Sequence, residues 1–460
     1  MVFLMTAILT DVNNSSLWVR NAHIYFFVIS MLIGSVAIVS FAPAYISWDE
    51  AIHYTRTSYM SLGAKGYVLE VDPFVETMSP IQYDVNGFQK EQRVPFEEYL
   101  NTYDSNRIIL YDVVLNFSAI AYIPASIALF VGRQLGLSFV TNYMLGKLTN
   151  LFLYSLFFAM SIKLLKDRGK IIAAVVGLIP TSMFIAVCYS YDWWINALVV
   201  LGFSFFIGEI QSKGYILNSK LMKSIAVLVA GLLPKPVYFP LLFPLMILKK
   251  EKYEDSKKAR WIVVLGMLLL LASFMLPILI GGGGEGDIRG GTDVNSAEQI
   301  KYILGNLLDY AKMMLAFLWG YLSPDRAAHY LNSFAYVGII NYTAVSLLML
   351  CIAAVVDNSD TVMFRKNAPW LRCGNILGII GSIVLVATSM YVSFTPVALP
   401  TINGCQPRYL IPVLFVFLFF SGENRMKVSK ELKEKTFIFV NISMALVFLN
   451  GWYDLIISKY

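Results

Sequence analysis

Residues 24–46 read IYFFVISMLIGSVAIVSFAPAYI, and SWDEAIHYTR follows at 47–56. The first stretch is almost wholly apolar and as long as the roughly 20 residues an α-helix needs to cross a bilayer. The charges after it mark where the chain leaves the lipid. The run follows a polar segment and lacks a small-residue cleavage site, so it is expected to be a retained span and not a cleaved leader.

The rest of the chain repeats this pattern. Its 460 residues are 57% hydrophobic and only 14% charged, too little polar surface for a water-soluble protein. The alternating strands of a membrane barrel are not seen, so the expected class is all-α and polytopic. Basic clusters lie at Lys163 to Lys170, Lys213 to Lys223, Lys249 to Arg260, Arg365 to Arg372 and Arg425 to Lys435. All five are assigned to the cytoplasmic face. With an inside N-terminus, spans are expected near 22–42, 143–165, 171–189, 194–210, 222–234, 237–249, 261–281, 334–356, 375–393, 409–421 and 435–457, about eleven in all. The net charge of +6 is concentrated in these loops, where it sets orientation, so no nucleic-acid partner is assigned.

Two apolar stretches are kept out of that count. Crossing by 113–132 would put the Lys163 to Lys170 cluster outside, so it is read as a juxtamembrane or re-entrant helix. Residues 304–322 carry Asp309 and Lys312 and are read as interfacial. The outer face then receives a large loop at 43–142, a second at 282–333 opening near GGGGEGDIRGG (281–291), and a third, SFTPVALPTINGCQPR (393–408). Cys188, Cys351, Cys373 and Cys405 have no metal-type spacing and are read as inert packing or interface residues. No internal repeat of the kind that builds many transporters stands out.

The charged residues near these outer turns carry the chemistry. If the chain turns helical near Trp48, then Asp49, His53 and Arg56 share one face, and Glu50 points about a quarter-turn away. A carboxylate, an imidazole and a cation at the membrane boundary suit group transfer between a lipid phosphate and a hydroxyl. The bland alternative is a helix N-terminus complemented by Asp49 and Glu50, with Arg56 solvated. Asp192 in CYSYDWW (188–194) is read either as a second site acid or as a helix cap, and its aromatic neighbours as interface anchors. Lys235 lies between Pro234 and Pro236 in apolar surroundings; it either faces a wet cavity and an anion or snorkels to the interface. Arg408 in GCQPRYLIP either grips a phosphate with its fork or anchors the interface. Lys147 and Arg107 are weaker cation candidates, and Trp319 and Asp325 are read as interfacial.

WDEAIHY after the first span resembles the Asp-Glu signature in the first outer loop of GT-C glycosyltransferases, including protein and glycolipid-anchor mannosyltransferases. The wider pattern is closer to the bacterial domain-of-unknown-function 2142 family, a member of that superfamily. It is carried by WDEAIHYTRTSYMSLG, AYIPASIALFVGRQLGLS, CYSYDWWINAL, KPVYFPLLF, LWGYLSPD and QPRYLIPVL, in order, over residues 25–420. AYIPAS departs from many relatives, which puts a substrate-positioning role for Tyr122 and Pro124 in doubt.

The resemblance implies a GT-C-type fold with juxtamembrane helices in the first outer loop, in a bacterial cytoplasmic membrane. It also implies transfer of a sugar from a polyprenyl-phosphate carrier to a glycan or glycolipid acceptor of the cell envelope, on the outer side. In an inverting displacement one carboxylate takes the acceptor's proton while cations neutralise the departing phosphate. Asp49 is the leading base, Glu50 the second, and Asp192 orients the acceptor or shares a metal with Asp49. Lys235, Arg408, Arg56 and His53 are assigned to the phosphate. A divalent ion such as Mg or Mn is left open, since no ligand cage is visible. The rival functions are a flippase or transporter of lipid-linked sugars, a polymer ligase using a diphosphate-linked glycan, and a noncatalytic scaffold.

Overall fold

The structure, a computed structural model, describes residues 15–41, 46–63, 68–70, 108–110, 116–166, 168–280, 287–291, 293–357, 362–421 and 428–459. Most of the expected first outer loop, Arg107 included, lies outside the described residues. In chain order the helices are α1 (Ser15–Ser40), α2 (Glu50–Ser61), α3 (Ile123–Gln134), α4 (Phe139–Leu164), α5 (Lys170–Leu178), α6 (Pro180–Ala186), α7 (Asp192–Ile210) and α8 (Asn218–Leu232). They continue with α9 (Ser256–Ile280), α10 (Ser296–Gly305), α11 (Leu307–Tyr321), α12 (Ala327–Leu331), α13 (Thr343–Val356), α14 (Val362–Phe394), α15 (Ile411–Ser421) and α16 (Lys430–Trp452). A 3-10 run covers Pro236–Met246, and two short strands, Val68–Glu70 and Ile108–Leu110, pair antiparallel.

Among the described residues, six helices are long and apolar enough to cross a membrane: those within α1, α4, α7, α9, α14 and α16. The expected count of eleven is not reached in that form, because several anticipated spans are short or broken. Pro180 divides the 171–189 stretch into α5 and α6, since proline removes a helix hydrogen bond and disfavours helix in the residue before it. Residues 334–342 are a 3-10 turn and a bridge, so α13 starts only at Thr343. The 237–249 stretch carries Pro240 and Pro244 and winds as the 3-10 run.

The helices are apolar on both faces for different reasons. On α1, Ile24, Val28, Leu32, Val36 and Val39 are exposed, a row at helical spacing with no protein over it, while Phe26, Ile33 and Ala37 on the other face are buried. The exposed row is what a helix offers to lipid, and the buried row packs on α4. Helices α5 and α6 are buried except for Lys170 at the start of α5, as befits a pair packed among α1, α4, α13 and α16. Helix α3 has 12 residues, too few to cross, and leaves Ile123, Ile127, Phe130 and Val131 exposed while α2 and α4 cover its other side. Between α10 and α11 the helix breaks at Asn306, and Leu307, Leu308, Leu315 and Trp319 remain exposed.

The loops sort to two ends. At one end the basic clusters meet: Gln211 accepts from the Lys166 N–H (2.8 Å) and donates to the Arg168 carbonyl (2.7 Å), and Lys252 Nζ donates to the carbonyls of Ser212 (3.0 Å) and Gly214 (2.6 Å). Arg372 joins them by donating to the Phe420 carbonyl, 3.2 Å away. Asp357 ties the same end together by accepting from the N–H groups of Gly169, Ile171 and Ile172 at the start of α5. Asp49, Asp192, Lys235 and Arg408 gather at the opposite end of the helices.

Candidate functional site

Asp49 precedes α2 in the left-handed backbone region, φ 55°, which short polar side chains tolerate better than most. The helix therefore begins at Glu50, and the expected helical face of Asp49, His53 and Arg56 is corrected: Asp49 sits on the entering turn, not on the helix. The turn sends Glu50 inward. Its Oε2 accepts from the N–H groups of Ile46 (2.9 Å) and Ser47 (3.1 Å); its Oε1 accepts from the Tyr189 N–H (3.0 Å) and the Tyr143 hydroxyl (3.5 Å) and pairs with Lys147 Nζ at 2.9 Å. Both partners of that ion pair are buried. Every acceptor site of Glu50 is used by the protein itself, and Lys147, a weak cation candidate in sequence, is its counter-ion.

Asp49 belongs instead to an array of alternating charge. Asp192, the first residue of α7, places Oδ1 3.4 Å from Lys235 Nζ and Oδ2 2.8 Å from Arg408 Nε. The latter is a close ion contact without hydrogen-bond alignment. Arg408 Nη2 lies 3.5 Å from Asp49 Oδ2, and Arg289 Nη1 lies 2.7 Å from Asp49 Oδ1. The order is thus Lys235, Asp192, Arg408, Asp49, Arg289. Side-chain exposure is 13% at Lys235, least at Arg408 with 2%, and rises from there to 26% at Asp49 and 46% at Arg289, so the array is most open at its Asp49 and Arg289 end.

Local sequence explains each placement. Lys235 stands between α8 and the 3-10 run, where Pro236 forces the preceding residue out of the helical region. Its ammonium lies 3.4 Å from the centre of the Tyr409 ring and 5.4 Å from that of Tyr191. Arg408 is in the 3-10 turn Pro407–Leu410 that leads into α15, with its guanidinium 4.6 Å from the Trp48 ring centre. Aromatic faces replace part of the hydration these cations lose. The Tyr238 hydroxyl donates to the Tyr409 carbonyl at 2.7 Å, which fixes that turn.

His53 lies beside the array, its Nδ1 2.7 Å from the Tyr122 hydroxyl and its ring edge-on to Tyr191. Burial pushes its pKa down to about 3, against the pull of Asp49 and Asp192. The imidazole is therefore neutral at ordinary pH, and it enters as a hydrogen-bonding group, not as a charge. Its Nε2 is buried without a hydrogen-bond partner in the protein. Tyr122 is pushed up to about 12 by burial, and Arg56, hydrogen-bonded to its hydroxyl, works in the other direction. Arg56 thus reaches the site's edge through Tyr122.

Sequence reasoning missed Arg289. The run GGGGEGDIRGG suggested only a loop, yet it holds an Asp-x-Arg pair whose geometry is defined. Asp287 Oδ1 accepts from the N–H of Arg289 (3.0 Å), and its two oxygens accept from Arg289 Nε at 2.9 and 3.1 Å. The fork holds the Asp287 carboxyl below the usual range. The turn rests on the end of α14, where the Asp287 N–H donates to the Ser393 carbonyl at 2.8 Å, and any Cβ on Gly290 would meet the Phe394 carbonyl.

The donor set does not fit a divalent metal. Arg408 stands between Asp49 and Asp192, where a shared ion would have to sit, and no group of three or more potential ligands occurs among the described residues. Trp319 and Asp325 stay outside the array; both are exposed, and Asp325 accepts from Ser323 at 3.0 Å. A cavity of about 620 Å³ flanks α15, lined by apolar side chains including Leu322, Leu350, Ile379, Leu410 and Leu414. Cys188 is buried, Cys405 partly so, and Cys351 and Cys373 exposed.

The family model described as "Predicted membrane protein (DUF2142)" matches residues 32–417. No curated protein and no solved structure matches the chain.

Proposed function

Since the chain belongs to the DUF2142 family of predicted membrane proteins, a membership that specifies location and no reaction, we propose its chemistry from the site: a GT-C-type glycosyltransferase using a polyprenyl-phosphate sugar. The observation that carries this reading is Arg408 lying between Asp49 and Asp192 with Lys235 on the far side of Asp192. Two acids and two cations converge from four separate segments at the end of the helices away from the basic loops. The positive-inside rule makes that end the outer one, here taken as the outer face of a bacterial cytoplasmic membrane.

Asp49, the more exposed acid, takes the proton from an acceptor hydroxyl of an envelope glycan or glycolipid. That oxygen forms a bond to the anomeric carbon, and the bond from that carbon to the phosphate oxygen breaks with its electron pair leaving on the phosphate. The departing polyprenyl phosphate gains negative charge, and Arg408 and Lys235 are placed to meet it. Attack from the side opposite the leaving group inverts the anomeric centre. Asp192 holds both cations and orients them. His53, neutral, offers Nε2 to an oxygen of either substrate. The apolar cavity beside α15 suits a prenyl chain by its lining and size. Glu50, saturated by five partners, supports the turn and takes no proton.

The test is transfer by the purified protein from a synthetic polyprenyl-phosphate sugar. Asp49→Asn is expected to abolish product while donor binding survives. Movement of the intact lipid across vesicles without product supports a transporter instead, for which charged groups at broken helices are also suited. Side-by-side mono- and diphosphate donors separate the transferase from a polymer ligase, and no cellular effect of Asp49→Asn points to a scaffold.

A further inference from the structure

Arg289 occupies the one acid of the array that an acceptor hydroxyl has to reach. Its Nη1 lies 2.7 Å from Asp49 Oδ1, and Arg408 holds the other oxygen at 3.5 Å, so both oxygens of the base are engaged. A carboxylate oxygen that already accepts a guanidinium N–H has that lone-pair direction filled, so an incoming hydroxyl has to displace the donor before it can hand over its proton. Arg289 is also the most exposed member of the array, and Asp287 and the end of α14 hold it, whereas the other four charges sit on other segments of the chain.

The ion contacts show what an incoming anion meets here. Among the described residues, Lys235, Arg408 and Arg289 are each already in contact with a carboxylate, of Asp192, of Asp49 and Asp192, and of Asp49 and Asp287 respectively. A phosphate entering it has to share cations already committed to carboxylates. Arg408 is buried and Lys235 is 13% exposed, both beside aromatic rings, whereas Arg289 lies at the open end, where its Nη1 can exchange the Asp49 oxygen for a phosphate oxygen. A fork clamped on one side by Asp287 keeps its remaining edge aimed at the array during that exchange.

We propose that Arg289 is the phosphate-responsive residue of the site. It masks Asp49 in the ligand-free protein and passes to the donor's phosphate when the donor binds, so that donor occupancy frees the base. This rests on the transferase reading above and adds an order to it: the lipid phosphate enters first, and the acceptor finds a competent base only afterwards. Only hydrogen bonds are exchanged in the step, and Arg289 keeps its charge throughout.

The experiment is a binding cycle on the full chain in nanodiscs, with a short-chain isoprenyl phosphate as probe and the matching isoprenyl alcohol as control. Wild type is expected to bind the phosphate, and Arg289→Gln to weaken it about tenfold or more with alcohol binding unchanged. Asp49→Asn is expected to tighten phosphate binding several-fold, because it removes the carboxylate that competes for Arg289. In Asp49→Asn with Arg289→Gln that gain is expected to vanish. A gain from Asp49→Asn of equal size with and without Arg289 overturns the proposal, as does unaltered phosphate binding by Arg289→Gln. If wild type binds no isoprenyl phosphate, the transferase reading itself fails, a different result from either of these. Arg289→Lys, which keeps the charge but loses the clamped fork, is expected to fall between wild type and Arg289→Gln, and thermal unfolding of each variant verifies that it is folded.

Discussion

Asp49 and Glu50 are neighbours in the chain and face opposite ways: Glu50 is fully enclosed and meets Lys147 at 2.9 Å, while Asp49 is 26% exposed and meets Arg289 and Arg408. The left-handed turn at Asp49 produces this division. One acid is consumed by the architecture, and the other is left for chemistry.

Glu50→Ala is expected to destabilise the protein strongly, by about 3–5 kcal/mol, because Lys147 is left buried and unpaired and three backbone N–H groups lose their acceptor. Asp49→Asn is expected to leave the melting temperature nearly unchanged. Thermal unfolding in detergent measures both, and equal melting temperatures for wild type and Glu50→Ala contradict the bracing role.

Arg408→Lys keeps the charge but not the fork that reaches Asp49 and Asp192 together. Transfer is expected to fall by about 100-fold or more, on the scale seen when one transition-state donor is lost. Steady-state kinetics with a polyprenyl-phosphate sugar decide it; near-wild-type turnover removes Arg408 from the reaction.

His53 has a folded pKa of about 3, below its ordinary value of about 6.5. Between those values the unfolded chain takes up a proton that the folded protein refuses, so stability drops as pH falls through this window and is indifferent to His53 above it. His53→Asn is expected to flatten that part of the stability profile. A His53 resonance titrating near pH 6.5 in the folded protein contradicts the prediction.

Gly146 faces the Tyr189 hydroxyl so closely that a side chain has no room. Gly146→Val is expected to displace Tyr189, whose N–H holds Glu50 at 3.0 Å, at a cost of about 1–3 kcal/mol. Unaltered thermal stability of this variant is the contrary result.

Orientation is checked with single cysteines. A cysteine replacing Arg289 is expected to react with an impermeant maleimide added outside cells, and one replacing Lys213 only after permeabilisation. The reverse pattern turns the site toward the cytoplasm and removes the basis for an extracytoplasmic acceptor.

Much of this was legible in the chain. The apolar run at 24–46 announced a spanning helix, and the charges of SWDEAIHYTR marked its exit, because both depend on composition alone. Asp192, Lys235 and Arg408 stood out as charges in apolar surroundings, and they gather within one array. What could not be read was direction. The alternative faces of Asp49 and Glu50 hinge on one backbone angle, and the burial that neutralises His53 depends on distant segments. Arg289 escaped notice because glycines around it suggested freedom, whereas Asp287 and the end of α14 hold it.

The 3-10 run Pro236–Met246 has a consequence for how such chains are counted. This winding climbs about 2.0 Å per residue where an α-helix climbs about 1.5 Å, so eleven residues travel about 22 Å instead of about 16 Å. The polypeptide thereby descends from the Lys235 end to Lys252 at the basic end with little material. A search window calibrated on twenty-residue helices overlooks such economical descents, and sequences rich in spaced prolines deserve a shorter ruler.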